Sequence, residues 1–145
     1  MKVSTKGRYA LRMMIDIAEN SAGNTRVPIK DISERQGISV KYLEQIVAQL
    51  TRAGLLRSVR GMGGGYSLAK SPEQYTAGEI LRSLEGRLTP VACLEEDVSR
   101  CEQVDVCRTH DFWEGLYKVI DDYVNGATLK DLMKESEQAI DKPLG

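Results

Sequence analysis

The sequence predicts a mainly α-helical protein with one small β-hairpin, and three features support this fold class. Apolar residues recur at the three- and four-residue spacing of amphipathic helices in several segments of the 145-residue chain. Two short β-like segments, "LLRSV" and "YSLAK", are joined by the glycine-rich turn "RGMGGG", which is typical of a hairpin. Near the C-terminus, "HDFWEGLYKVIDDYVNG" predicts a long helix whose apolar face is wider than one small domain needs.

Three helices are predicted in the first part of the chain, and a short turn joins the second to the third. The first begins behind a cap at Ser4, and the second, "PIKDISERQ", has Pro28 in its first turn and stops at Gly37. The third, capped by Ser39, carries the apolar pattern of "YLEQIVAQL". In a helix-turn-helix the second helix enters the DNA major groove. With the hairpin as a wing, the pattern predicts a winged helix-turn-helix domain over residues 1–86.

The polar face of the third helix offers side chains that suit base edges. Gln45 can pair with adenine, Glu44 can accept from the cytosine amino group, and Lys41 can reach guanine or phosphate. In the wing, Arg60 lies beside glycine-rich backbone that can approach a phosphate closely. The alternative is that the polar face of the third helix is exposed to solvent and contacts no DNA. The arrangement favours double-stranded DNA as the partner.

Charge divides the chain into two unlike halves. Residues 1–70 carry twelve Lys or Arg against five Asp or Glu, a net charge of +7. Residues 71–145 carry eight against sixteen, a net charge of −8. The asymmetry indicates that the front half faces a polyanion, because a field of one sign steers partners of the other. An ordinary solvated surface is the alternative.

Composition and cysteine number disfavour several protein classes. No apolar run approaches the ~18 residues of a membrane-spanning helix, and the N-terminus lacks the pattern of a secretion signal. We therefore expect a cytoplasmic protein with no membrane partner. Three cysteines cannot all pair within one chain, and a reducing compartment disfavours disulfides. Metal or redox chemistry explains these cysteines better.

The acidic half begins with a fourth helix. The T-x-x-E pattern at Thr76 and Glu79 predicts a capping box at its start. A loop over residues 87–109 follows, and a loop of this length in a compact domain is usually functional or disordered. Residues 110–145 are expected to form the long helix and a last helix capped by Thr128.

The long helix, which Thr109 is expected to cap, is predicted to be the seam of a homodimer. Its apolar stripe exceeds what a single small domain can cover, although packing onto its own domain is the alternative. The stripe consists of Phe112, Leu116, Val119, Ile120 and Tyr123.

The loop and the start of the long helix contain every cysteine and the only histidine. Seven residues separate Cys93 from Cys101, five separate Cys101 from Cys107, and two separate Cys107 from His110. Zinc would accept this donor set, but structural zinc sites usually have cysteine pairs about two to four residues apart. Iron-sulfur clusters tolerate wider spacing and sometimes use an imidazole. The spacing leaves open a cluster, a zinc site and thiol-based redox sensing.

Two other kinds of function are compatible with parts of the sequence. An enzyme could use Cys107 and His110 as a nucleophile pair, but no third orienting residue is evident. A catalytic loop would also leave the helix-turn-helix unexplained. An electron carrier would use the same four ligands but would need no basic front half. We therefore expect that the protein is not an enzyme.

Five stretches carry a family resemblance: "TKGRYAL", "DISERQGIS", "YLEQ", "SVRGMGGGY" and "CRTHDFW". Through them the chain resembles the IscR-type regulators, bacterial winged-helix transcription factors that bind an iron-sulfur cluster. The resemblance implies a homodimer with crossing C-terminal helices and a [2Fe-2S] cluster ligated by Cys93, Cys101, Cys107 and His110. It also implies control of cluster-assembly genes in response to cluster status or redox state, through a pseudo-palindromic operator.

The resemblance also implies where DNA is contacted. The "YLEQ" stretch would read the major groove, Arg60 would enter the minor groove, and the N-terminus would touch the backbone. The full expected set of DNA contacts is Ser4, Lys6, Arg8, Ser39, Lys41, Tyr42, Glu44, Gln45, Arg60 and Gly61.

The chain departs from the family pattern at its first cysteine spacing. The family usually has about five residues between the first two cysteines, where this chain has seven, so the nuclearity of the cluster stays open. Sister regulators that sense nitric oxide or iron hold a [4Fe-4S] cluster with an acidic ligand from the first helix, where this chain has Arg8. Sisters without a cluster lack the cysteines.

Overall fold

The computed structural model describes residues 2–21, 25–94 and 107–133. The helices there are α1 (Thr5–Asn20), α2 (Ile29–Gln36), α3 (Val40–Arg52), α4 (Ala77–Glu85), α5 (His110–Gly126) and α6 (Leu129–Leu132). The strands β1 (Leu56–Val59) and β2 (Gly65–Leu68) form a two-stranded antiparallel sheet. Short 3-10 helices occupy Pro72–Gln74 and Ala92–Leu94. This mostly helical architecture with one hairpin confirms the predicted fold class.

Local capping explains where α1 and α3 begin. The Ser4 hydroxyl accepts a hydrogen bond from the Gly7 amide at 3.1 Å, and the Ser39 hydroxyl accepts one from the Tyr42 amide at 3.2 Å. Each bond satisfies an amide that has no partner within its own helix. Both caps were predicted and both are confirmed.

The α2 helix lies between a proline and a glycine. Gly37 has φ of 66°, the left-handed conformation that ends a helix, as predicted. Pro28 lies one residue before the first helical residue, so its predicted place inside the first turn is wrong by one position.

The largest fully buried side chains, which form the core beneath these helices, are Tyr75, Met13, Met14, Ile17, Ile32, Leu43, Ile46, Leu50, Ile80 and Leu129.

An ion pair between the buried Asp16 and the exposed Arg35 links α2 to α1. Asp16 is only 3% exposed, and its carboxylate accepts hydrogen bonds from Arg35 Nε at 3.0 Å and Nη2 at 2.8 Å. The Gln36 side-chain amide donates a third bond at 2.9 Å. The bond to Asp16 raises the pKa of Arg35, because the carboxylate favours the charged guanidinium. Since a buried carboxylate without partners is unstable, these bonds stabilise the packing of α2 on α1.

The hairpin is held next to α2 by a third extended segment. Val59 pairs with Gly65 next to the turn of the hairpin. The Val27 amide donates to the Tyr66 carbonyl at 2.8 Å, and the Tyr66 amide donates back at 2.9 Å. Gly65 has φ of 150°, and a Cβ added there would lie 2.7 Å from the Val27 carbonyl oxygen. Only glycine therefore allows this close approach, which aligns the wing with the start of α2.

Tyr75, which is fully buried, joins the base of the wing to α4. Its hydroxyl donates to the Leu55 carbonyl at 2.7 Å. The same oxygen accepts from the backbone amides of Ala69 at 2.8 Å and Lys70 at 3.2 Å. One side chain thus satisfies three backbone groups from the two ends of the hairpin.

Replacing Tyr75 with Phe is expected to lower the free energy of unfolding by about 1–3 kcal/mol, because one buried and two partly buried backbone groups lose their partner. Urea denaturation measures the change. The matched control is Tyr117→Phe, whose hydroxyl accepts an exposed hydrogen bond from Arg87 at 3.1 Å. Equal stability of Tyr75→Phe and this control would contradict the assignment.

The capping of α4 and α5 differs in part from the prediction. The Thr76 hydroxyl accepts from the Glu79 amide at 3.0 Å, as expected. The Glu79 carboxylate binds Lys70 Nζ at 2.9 Å instead of completing the capping box. Thr109 occupies the position before α5 but makes no side-chain cap, so that prediction is wrong.

Helix α5 is attached to α4 through polar contacts. Arg82 of α4 donates to Asn125 at 2.5 Å and approaches Asp121 at 3.4 Å.

The last helix, α6, begins with a complete capping box between Thr128 and Asp131. In the part of the chain that the structure describes, no helix is long and apolar enough to cross a bilayer. The division at residues 86 and 109 stays a prediction.

Candidate DNA interface and metal site

A groove separates the third helix from the wing. Its volume is about 740 Å³. Glu44 and Arg52 line it from α3, and Arg60 and Gly61 line it from the turn of the hairpin. The structure therefore brings together Glu44, Arg60 and Gly61, three residues that the sequence assigned to DNA contact.

Arg52 is a groove residue that the sequence analysis missed. It follows Glu44 by eight residues, and Ala48, halfway between them, also lines the groove. Residues at i, i+4 and i+8 share one face of a helix, so the same periodicity that located Glu44 would have found Arg52. The groove thus has a cation on each wall.

The remaining α3 residues of the predicted DNA set divide into exposed and packed side chains. Lys41 and Gln45 are exposed, as a base-reading face requires. Ser39 is exposed, and its hydroxyl caps the helix. Tyr42 is half-buried and packs edge-on against Tyr9, with ring centroids 5.6 Å apart. Tyr42 therefore has a packing role, and its contact with bases stays a prediction.

The tip of the wing is built from glycines with positive φ around one exposed side chain. Gly61 has φ of 95° and Gly63 has φ of 74°, values that side-chain-bearing residues rarely adopt. Met62 between them is fully exposed, and Arg60 precedes them, also exposed. The tip therefore projects from the domain, with a cation at its base.

The N-terminal residues of the predicted DNA set lie at the start of α1. Arg8 is exposed and Lys6 is half-buried. Ser4 is exposed, but its backbone amide donates to Glu85 Oε1 at 2.9 Å, and its hydroxyl hydrogen-bonds to the same oxygen. Glu85 lies 81 residues away along the chain, and no sequence pattern indicates this contact.

The structure describes three of the four predicted metal ligands. Cys93 is half-buried in the 3-10 helix Ala92–Leu94, Cys107 is exposed, and His110 is the first residue of α5. Cys101 lies outside the described residues. The structure therefore places Cys107 and His110 at one helix start, as predicted, and leaves the full set untested.

The Cys107 thiol lies in an environment that favours its ionised form. Its Sγ is 3.4 Å from the Thr109 hydroxyl. This hydrogen bond is the main cause that lowers the pKa of Cys107, and the Thr109 and His110 backbone amides add to it. Thiolate is the form that binds metals, so Cys107 is suited to ligation.

Two carboxylates that the sequence analysis did not consider lie beside His110. Its Nδ1 is 3.9 Å from Asp111 Oδ1, and its Nε2 is 3.8 Å from Glu114 Oε1. One ligand atom from each of these three residues falls within 4.8 Å of the others. Glu114 follows His110 by four residues on a predicted helix, and this spacing alone indicated that the two side chains are close. Either carboxylate is an alternative ligand to the imidazole.

The predicted dimer stripe is exposed in the single chain. Phe112 is 64% exposed, Val119 65% and Tyr123 77%, whereas Leu116 and Ile120 are half-buried. None of the seventeen residues of α5 is buried. Packing on its own domain therefore covers Leu116 and Ile120 in part but leaves Phe112, Val119 and Tyr123 exposed, so the alternative does not explain the whole stripe.

Comparison with known proteins identifies the family. The profile of the Rrf2 family, described as an iron-dependent transcriptional regulator, matches residues 3–135. The chain belongs to the Rrf2 family. The transcriptional regulator IscR of Vibrio campbellii is 42% identical over 137 residues, which are 94% of this chain and 80% of that protein. The Escherichia coli IscR is 39% identical, over 94% of this chain and 83% of that protein.

Solved structures of Rrf2-type regulators share the fold. The T. potens IscR is 41% identical with a TM-score of 0.74, and the match covers 100% of this chain and 94% of that one. CymR, the global cysteine regulator of B. subtilis, is 37% identical with a TM-score of 0.75, covering 91% and 95%. Rrf2 members are DNA-binding transcriptional regulators, so the expectation that the chain is not an enzyme is confirmed.

Proposed function

We propose that this Rrf2-family chain is a homodimeric repressor or activator that binds a pseudo-palindromic operator and senses a [2Fe-2S] cluster. The cluster ligands are Cys93, Cys101, Cys107 and His110. The observation that carries the proposal is the position of Cys107 and His110 at the start of α5, the helix with the uncovered apolar stripe. Ligand binding there acts directly on the element that joins the two copies. The target genes are those of iron-sulfur cluster assembly.

The donor chemistry fits such a cluster. Three thiols and one imidazole match the ligand types that iron-sulfur clusters accept, and the lowered pKa of Cys107 favours the thiolate form. When bound, the cluster supplies a one-electron couple whose potential an imidazole ligand raises. The chain's own part is to hold the donors at the junction between the 87–109 segment and α5. The groups that Cys107 and His110 contact, Thr109 and Glu114, orient these donors.

The DNA interface consists of the exposed N-terminal half of α3 and the wing. Lys41, Glu44 and Gln45 present an ammonium, a carboxylate and an amide to the major groove, where each suits a different base edge. Glu44 also discriminates between sites, because a carboxylate that meets no amino partner repels DNA. Arg60 enters the minor groove from the wing, and Arg52 on the opposite wall of the cavity contacts the phosphate backbone.

Replacing Arg60 with Ala is expected to reduce the affinity for the operator by about 1–3 kcal/mol, because a groove-reading cation is lost. Fluorescence anisotropy with a labelled duplex measures the change. Arg57→Ala is the matched control, since Arg57 is exposed on β1 but does not line the groove between α3 and the wing. Equal losses for the two variants would reduce Arg60 to a general phosphate contact.

Anaerobic isolation of the protein tests the cofactor most simply. The visible spectrum, together with assays of iron, sulfide and zinc, is expected to show thiolate-to-iron absorption and two iron and two sulfide ions per chain, as the [2Fe-2S] proposal requires. A colourless protein that holds one zinc per chain, even after attempted reconstitution with iron and sulfide, would replace the cluster with a structural zinc site. Four irons per chain would support the [4Fe-4S] alternative.

A further inference from the structure

A carboxylate that is distant along the chain, at the end of α4, occupies the start of α1. Glu85 Oε1 accepts the Ser4 backbone amide at 2.9 Å and also binds the Ser4 hydroxyl. The Ser4 hydroxyl meanwhile accepts the Gly7 amide as the helix cap. Both hydrogen-bond donors of Ser4 are therefore engaged by one internal carboxylate.

The start of α1 is shaped to admit this carboxylate. Gly7 is buried, and a Cβ added to it would overlap Glu85 Oε1. The first turn of α1 contains no acidic residue of its own, and it carries the cation Lys6. The amino end of a helix attracts anions, because its free amides and dipole are positive. Glu85 therefore takes the place that this helix end offers to an anion.

We propose that Glu85 is an intramolecular competitor of a DNA phosphate for the start of α1. The inference rests on the proposed function, in which Ser4, Lys6 and Arg8 contact the DNA backbone. A phosphate would bind the same amide and hydroxyl of Ser4 that Glu85 binds. The Glu85 carboxylate and a phosphate at the same site would also repel each other, because both are negatively charged. Full contact of the N-terminus with DNA therefore requires Glu85 to leave.

The position of Glu85 connects this contact to the cluster-binding segment. Glu85 is the last residue of α4, and Gly86 with φ of 75° follows it at the beginning of the 87–109 segment. That segment contains Cys93 and Cys101, and only Gly86 separates Glu85 from its first residue. Glu85 is thus a regulatory residue that converts the state of the segment into an added or withheld phosphate contact.

Three variants of the full-length, anaerobically purified protein test this competition. Glu85→Ala and Glu85→Gln remove the charge, and Gly7→Ala displaces the carboxylate while the charge stays in the chain. Each is expected to bind a duplex, selected by the wild type from a randomised pool, about two- to fivefold more tightly. Each should also steepen the dependence of log affinity on log salt, by up to about 0.9, because the phosphate that replaces the carboxylate lies beside the Lys6 ammonium of the same helix turn.

Two controls separate release of Ser4 from a general charge effect. Glu73→Gln removes an exposed carboxylate from the 3-10 helix before α4 and is expected to leave the salt slope unchanged. Adding Ser4→Ala to Glu85→Ala should remove the gain, because the hydroxyl that receives the phosphate is gone. Thermal unfolding of each variant confirms that it is folded.

Wild-type affinity and salt slope in all three test variants would overturn the competition and leave the proposed function intact. The same gain in Glu73→Gln would overturn it equally, since that result needs only net charge. A wild-type protein that binds no duplex would overturn the proposed function and this inference together.

Discussion

Replacing Cys107 with Ala is expected to abolish stable cluster binding, so that the anaerobically isolated variant lacks the thiolate-to-iron absorption of the wild type. Cys107 is the exposed thiol whose pKa the Thr109 hydrogen bond lowers, and a cluster with one thiolate missing has lost a quarter of its protein ligands. Absorption spectra with iron and sulfide assays measure the loss. A variant that keeps the spectrum and iron content of the wild type would remove Cys107 from the ligand set.

The fourth ligand is decided by a matched pair of variants on α5. His110→Ala is expected to bleach or destabilise the cluster, whereas Glu114→Gln, one turn later and 3.8 Å from the imidazole, should leave it bound. The reverse pattern would assign the carboxylate as ligand and the histidine as its neighbour. His110→Cys should keep the cluster but lower its potential, because thiolate donates more charge than imidazole.

Replacing Val119 with Asp is expected to weaken the homodimer by about a thousandfold, because each copy would bury an unpaired carboxylate at the seam. Val119 is 65% exposed in the single chain, so the substitution leaves the fold of the monomer unchanged. Sedimentation or light scattering over a concentration series measures the dissociation constant. A wild-type protein that stays monomeric at micromolar concentration would refute the dimer itself.

Asn125→Asp is the control for the charge that this substitution adds. Asn125 lies on the same helix, but its side chain accepts a hydrogen bond from Arg82 of α4, a partner that also suits a carboxylate. The control is expected to remain dimeric. Dimer loss in both variants would point to net repulsion between helices and not to the apolar stripe.

The elements that the sequence predicted well are those fixed by local interactions. The caps at Ser4, Ser39, Thr76 and Thr128 each use a side chain within three residues of the amide it satisfies, so spacing alone locates them. The failed cap at Thr109 has a local cause too, because its hydroxyl lies next to the Cys107 thiol. A competing partner two residues away is not visible in a capping pattern.

Contacts between distant segments were beyond prediction from one sequence. Nothing in the pattern around Tyr75 indicates that its hydroxyl satisfies Leu55, twenty residues earlier. Likewise the charge of Glu79 suggested a cap, but a lysine nine residues before it takes the carboxylate. The candidate site was predictable where it depended on residue type, as for the thiols and His110. It was not predictable where it depended on proximity, as for Glu85 beside Ser4.

The central claim is that the state of the cluster segment controls DNA recognition, and paired binding measurements on one preparation test it most directly. Cluster-loaded and cluster-free wild-type protein are each used to select duplexes from a randomised pool, and affinities for both selected sequences are then measured at several salt concentrations. The account predicts pseudo-palindromic sequences, a salt slope of several phosphate contacts, and a preference that differs between the two forms. Identical sequences and identical affinities for the two forms would contradict it.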